Sequence, residues 1–179
     1  MKRKLIDVCL LNNYKQLDAQ SLEELRTFEG KIKLLPSSKD YDWVTNLEIA
    51  KDYLCEGEII TLGKARYANI KYHNGLFVSA NNIIIESNDK ENILTKYIYY
   101  YCFWNNKKFY VEATTYPKFD MKSFENSLIE IPKKNVQQEI INKLDNLFWI
   151  IKNQESQLIL YDELIKSRFN GQDGVLYVS

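Results

Sequence analysis

Between Val136 and Phe169 the chain contains neither proline nor glycine, and its apolar residues recur with a strict step. Counting from Ile140 in steps of four and three gives Leu144, Leu147, Ile151, Gln154, Leu158, Tyr161 and Ile165. All of these but Gln154 are apolar or aromatic, which is the heptad seam of a helix that packs along another helix. A helix of this length reaches roughly 50 Å. The remaining 130 or so residues would form a body with a radius of gyration of about 14 Å, too small to cover such a rod. The seam therefore predicts a projecting helix with a partner. In an antiparallel two-fold pair, Gln154 near the middle can meet its own copy and fix the register at a cost in stability. Phe148, Trp149 and Ile150 widen the apolar surface beyond two positions. They favour in part the competing picture of a core helix, and either seat the helix on its own domain or form part of the partner interface.

The rest of the 179 residues suits one globular domain. Thirteen tyrosines, eight phenylalanines and three tryptophans supply a sizeable core and argue against disorder. Lys+Arg and Asp+Glu both number 24, which excludes a binder that works by bulk positive charge. The balance is local, however. Asp40, Asp42, Glu48, Asp52, Glu56 and Glu58 face only Lys51 in residues 40–60, whereas residues 61–85 hold Lys64, Arg66 and Lys71 with no acid. Cys9, Cys55 and Cys102 are scattered and form no C-x-x-C pair, which fits a reducing cytoplasm. No signal-peptide apolar region follows the basic start, and no apolar run is long enough to span a membrane.

Patterning reads as α+β, with a mixed sheet and short helices ahead of the long helix. Strands are expected at Glu58–Leu62, Leu76–Ser79 and Ile83–Ile85, with Asn74-Gly75 as a hairpin turn. Asn92 is expected to cap a helix from Ile93 to about Lys107, with Leu94, Tyr97, Ile98, Tyr101 and Cys102 on one face. A short strand from Ser127 to Ile131 stops at Pro132. The expected division is a domain at 1–132, a helix at 133–169 and a tail at 170–179. The tail reads either as a frayed end or as the remnant of a second half.

Catalytic chemistry finds little to work with. A single histidine, His73, sits beside Asn74-Gly75 and reads as a turn residue. No His pair, Cys/His cluster, phosphate-binding glycine loop or nucleophile elbow is present. Asp52, Glu56, Glu58 and Lys64 have a nuclease-like composition, but such spacing is common on solvated strand edges. No metal or other cofactor is expected.

Three stretches, in order, resemble the specificity (S) subunits of type I restriction-modification systems. Gly57-Glu58-Ile59-Ile60-Thr61-Leu62-Gly63-Lys64, continuing to Tyr72 and then Phe77-Val78-Ser79-Ala80-Asn81, is similar to that family's glycine-punctuated strand block. Thr115-Tyr116-Pro117-Lys118-Phe119, leading to Leu128–Pro132, resembles the segment that closes a target recognition domain. Val136–Asp145, continuing to Leu164–Phe169, resembles the helical region that follows each such domain. Ala65 and Ala68 stand where the family usually has glycine, and the loop before Pro117 also lacks its usual glycine. A full S subunit has two recognition domains and two helices, so this chain resembles a half subunit.

The resemblance implies a non-catalytic, cytoplasmic DNA-recognition module. Its partners would be double-stranded DNA, methyltransferase (modification) subunits and, through them, restriction subunits. Two copies joined as a homodimer, or one copy with another half subunit, would rebuild two domains around two antiparallel helices and read a bipartite site. The seam residues Ile140, Leu144, Leu147, Ile151, Gln154, Leu158, Tyr161 and Ile165 would form that interface. Candidate DNA contacts fall in two loops: Lys64, Arg66, Tyr67, Asn69 and Lys71 in the first, Thr114, Thr115, Tyr116 and Lys118 in the second. Arginine forks onto guanine, asparagine onto adenine, and lysine more often meets phosphate. Lys107 and Lys108 precede the second loop. Most of the aromatics between Ile93 and Phe124 are expected in the core. The alternative function is a protein-interaction domain whose helix only mediates oligomerisation.

Overall fold

The β-branched runs at Ile59-Ile60 and Ile83-Ile84-Ile85 are apolar on consecutive positions, so a strand built from them needs cover on both faces. A computed structural model, describing residues 2–40, 42–64, 69–112 and 117–170, shows that arrangement. In chain order the elements are β1 (Lys2–Lys4), β2 (Cys9–Asn12), β3 (Gln16–Leu17), α1 (Ala19–Glu24), β4 (Ile32–Leu35) and β5 (Val44–Thr45). Next come α2 (Leu47–Ala50), β6 (Cys55–Gly63), β7 (Ile70–Ala80), β8 (Asn82–Ser87) and α3 (Thr95–Trp104). The last are β9 (Tyr110–Glu112), β10 (Pro117–Phe119), α4 (Met121–Asn126), β11 (Leu128–Glu130) and α5 (Lys134–Asn170).

Seven strands form one mixed sheet in the order β2-β8-β6-β7-β4-β5, with β3 also pairing with β7. β6 is central and antiparallel to both β7 and β8, whereas β3 and β4 run parallel to β7. Two small antiparallel pairs, β1 with β11 and β9 with β10, flank it. Ile60, Leu62, Ile70 and Ile85 join one cluster with Ile98 and Cys102 of α3, Phe109 and Phe124. Their neighbours Ile59 and Ile84 turn into a second cluster with Leu35 and Phe77, against which Tyr14 packs. Leu22 of α1 and Ala50 beside Val78 make a third.

The turn expected at Asn74-Gly75 is not there. β7 runs through both residues, and pairing with β6 continues without a break from Cys55↔Phe77 to Leu62↔Ile70. Gly75, at φ 127°, lies opposite Gly57, and the Tyr14 hydroxyl occupies the space above Gly57, 2.8 Å from where a Cβ would stand. An aromatic ring thus covers a strand position that has no side chain. His73 is a strand residue too, with Nε2 3.0 Å from the Leu76 carbonyl and its ring edge-on to Phe77. Burial holds its imidazole below the usual histidine range.

The tight connection from β7 to β8 is made by Asn81, at φ 54°, a conformation asparagine tolerates. The Asn82 side chain is buried and donates to the carbonyls of Leu35 (2.8 Å) and Ala80 (3.0 Å) and to Ser79 Oγ (2.9 Å).

α3 begins at Thr95, later than expected, because Asn92 bonds back to Asp89 in a preceding turn. Its apolar face is the expected one: Ile98 and Cys102 are fully buried, while Tyr97 and Tyr101 donate to the Glu130 and Leu128 carbonyls at 2.9 and 3.2 Å. A 3-10 turn at Asn106–Lys108 follows. The final helix has 37 residues and is about 55 Å long. The chain falls into two units, Met1–Gln138 and Glu139–Ser179, so the first turn of α5 belongs to the first unit.

Candidate nucleic-acid interface

β6 ends at Gly63 and β7 begins at Ile70, so the basic segment between them emerges at one end of the sheet. Two other segments are fastened to that end. Tyr110 of β9 donates its hydroxyl to the Gly63 carbonyl at 2.9 Å, and the Gly63 amide donates to the Asn69 carbonyl at 2.9 Å. Burial raises the Tyr110 hydroxyl well above the ordinary tyrosine range, so it stays a donor at neutral pH. From the other side, the segment after β4 is tied in by side chains of β7 and the residue before it. The Asn69 amide donates to the Ser37 and Ser38 carbonyls, and the Lys71 ammonium donates to the Pro36 and Asp40 carbonyls, both at 2.6 Å. Gly63 lies so close to the Ser37 carbonyl that a Cβ there would stand 3.0 Å away.

Lys71 is nearly inaccessible, at 2% exposure, and burial lowers its pKa from 10.5 to about 8, against a smaller upward pull from Asp40. Two carbonyl dipoles at hydrogen-bond distance replace part of the water that an ammonium loses.

The described flanks of the two segments expected to contact DNA are therefore joined, through Tyr110 and Gly63. Lys64 is exposed at the mouth of the first, and Lys118, on β10 opposite Val111, is exposed beside the second. Lys107 and Lys108 are also exposed. Arg66, Tyr67, Thr114, Thr115 and Tyr116 lie outside the described residues. Asn69 and Lys71 sit differently from a free base-reading amide and a free phosphate-binding cation, because both point into the protein and hold the 36–40 segment.

Sequence reasoning passed over that segment, although Pro36-Ser37-Ser38 carries an ordinary loop signature. It also passed over Gln137, fully buried in the first turn of α5. Gln137 Oε1 accepts from the Leu94 amide at 2.9 Å, and Nε2 donates to the Asn92 and Pro132 carbonyls at 2.9 and 2.8 Å. Nothing in its spacing sets it apart from the exposed glutamines around it.

In the second unit, the seam residues Leu147, Ile151, Leu158, Tyr161 and Ile165 are each about half exposed or more, and Gln154 is exposed among them. Ile140 and Leu144 are half-buried. Among the described residues, no group of three His, Cys, Asp or Glu could hold a metal, and no helix is long and apolar enough to cross a membrane.

The model of the type I restriction modification DNA specificity domain matches residues 1–161. The chain belongs to that family. The fold of this specificity domain is similar to the crystal structure of a type I restriction-modification S subunit from M. genitalium, with 18% identity and a TM-score of 0.65 over 93% of this chain and 44% of that one. A second solved structure, from a study of complex assembly and conformational transition in the type I system, aligns at 12% identity and a TM-score of 0.60 over 93% of this chain and 43% of that one. This specificity domain thus spans less than half of either neighbour. No curated protein sequence gives a significant match.

Proposed function

We propose that this chain is a non-catalytic half S subunit: it reads one half of a split DNA site and pairs through α5 with a second copy. The observation that carries this reading is the junction at the end of the central sheet. The flanks of two loops, with exposed lysines at their edges, are bonded to each other and to the 36–40 segment through Tyr110, Gly63, Asn69 and Lys71. A rigid rim of this kind can hold several side chains in one register against base edges and phosphates.

Two copies joined along Ile140 to Ile165 would carry two such rims related by a two-fold axis, which favours a palindromic split site. Methylation and cleavage would belong to modification and restriction subunits docked on the pair, with the protein acting in the cytoplasm and needing no cofactor. Pairing with a different half subunit would replace the palindrome by an asymmetric site.

Site selection from random duplex DNA, in the presence of a type I modification subunit, tests the reading. The expected result is enrichment of one split sequence, with binding that weakens steeply as salt rises. Failure to enrich any sequence would leave the protein-interaction alternative in its place.

A further inference from the structure

Acidic residues divide the chain more sharply than basic ones do. The two longest runs without Asp or Glu are residues 59–85 and 92–111. The first contains the basic segment between β6 and β7, and the second contains α3, the turn after it and the start of β9. The fold lays these runs against each other. Tyr72 of β7 packs on Tyr99 of α3 with ring centroids 5.7 Å apart, Lys96 lies over the Tyr72 ring, and Tyr110 bonds to Gly63. Two stretches that offer a phosphate backbone cations and no carboxylates of their own thereby become one region.

In that region stands an indole that the core does not use. Trp104 ends α3 and is 83% exposed, although Ile98 and Cys102 of the same helix are fully buried. The turn that follows fixes its position. The Asn105 side chain donates to the Tyr101 carbonyl at 2.9 Å and accepts from the Lys108 ammonium at 2.7 Å. The Lys108 and Phe109 amides close the turn on the Asn105 and Asn106 carbonyls, both at 2.9 Å. At about 2 Å per residue in a turn of this kind, Trp104 stands within some 12 Å of Tyr110, and so beside the rim. Lys107 is exposed in the same turn and makes no hydrogen bond or ion pair among the described residues.

A second bare ring shows what sets this one apart. Phe28 is fully exposed too, but it shares a hollow with Glu23, Asp42 and Arg26, and Glu29 follows it in the chain. That hollow is net acidic and repels phosphates.

We infer that Trp104 contacts DNA: the indole packs on the deoxyribose edge of one strand while Lys107 takes an adjacent phosphate. The inference rests on the DNA-binding reading and extends the rim beyond the two loops to the end of α3. Burying so large a ring is worth about ten-fold in affinity and involves no charge.

Binding of labelled duplex DNA to the full-length chain with a type I modification subunit, over a series of salt concentrations, tests it. Trp104→Ala should weaken binding about ten-fold without changing the salt slope, the urea midpoint or the association with the modification subunit. Trp104→Phe should recover most of the loss. Lys107→Ala should reduce the slope by about one, and Phe28→Ala should change neither affinity nor slope. A Trp104→Ala affinity within about two-fold of wild type would overturn the contact and leave the DNA-binding reading standing. So would an equal loss in Phe28→Ala, or a Trp104→Ala chain that no longer holds the modification subunit, which would assign the indole to a protein. An unchanged slope in Lys107→Ala would overturn the phosphate half of the contact. A wild-type complex that binds no duplex would overturn the contact and the reading together.

Discussion

Lys64 and Lys71 bracket the same loop, yet their ammonium groups have opposite surroundings. Lys64 is exposed, whereas Lys71 is spent on the Pro36 and Asp40 carbonyls. The two should therefore fail differently in DNA binding. Lys64→Ala should lower affinity and reduce the slope of log affinity against log salt by about one, the signature of a lost phosphate contact. Lys71→Met should lower affinity with the slope unchanged, because it releases the 36–40 segment instead of a phosphate. Equal slope changes in both variants would place Lys71 on the DNA. The distinction was invisible in the sequence, where Lys71 is one more cation in a basic run. Its burial depends on a segment some thirty residues away in the chain.

Lys71 also leaves a trace in the pH dependence of stability. Its pKa is about 8 in the folded chain, below the ordinary 10.5, so between those values the unfolded state binds more protons. Stability contributed by this site therefore rises with pH across that window. Burial raises the Cys9 and Cys102 thiols, which act in the opposite sense above their ordinary value. The difference in Tm between wild type and Lys71→Met cancels these shared contributions. Measured by thermal melts from pH 8 to 10, that difference should move in favour of the wild type as pH rises. A flat difference would mean that the ammonium is solvated.

Among the elements, those whose pattern is local were legible and those fixed by pairing were not. The isoleucine runs marked β6 and β8, and the uninterrupted heptads marked α5 to within two residues at its start. Asn74-Gly75 carries the strongest hairpin signal in the chain, yet β7 continues through it because β6 supplies partners on both sides. Gln137 shows the same limit at the start of α5. It binds the amide of Leu94, which caps α3, and so ties the first turn of α5 to α3 within the first unit. Gln137→Ala would strand one buried donor and remove the bonds to the Asn92 and Pro132 carbonyls. The expected loss is about 2 kcal/mol, read as a lower urea midpoint with an unchanged slope. A loss within a few tenths of a kcal/mol would mean that water replaces the amide.

For the whole molecule, recognition by two identical halves, as proposed, would make affinity depend on pairing. When one domain of a pair is bound, the second meets its half-site at an effective concentration set by the connection, which for short links reaches the millimolar range. A rigid helix pair holds that concentration high only at one spacing. Leu158→Glu places a charge in the middle of the seam, where the antiparallel partner would bring Leu147 or its neighbours against it. The variant should lose pairing, keep its domain fold, and bind a full split site no more tightly than a single half-site. Wild type should prefer the full site by at least ten-fold, and the preference should vanish when the spacing between half-sites is changed by half a helical turn of DNA, which rotates one half-site to the far side of the duplex. Gel-shift titrations with full, half and respaced sites measure all three. A wild-type preference that survives the respacing would mean that the two rims are not held by a rigid pair, and the split-site reading would then have to rest on flexible tethering.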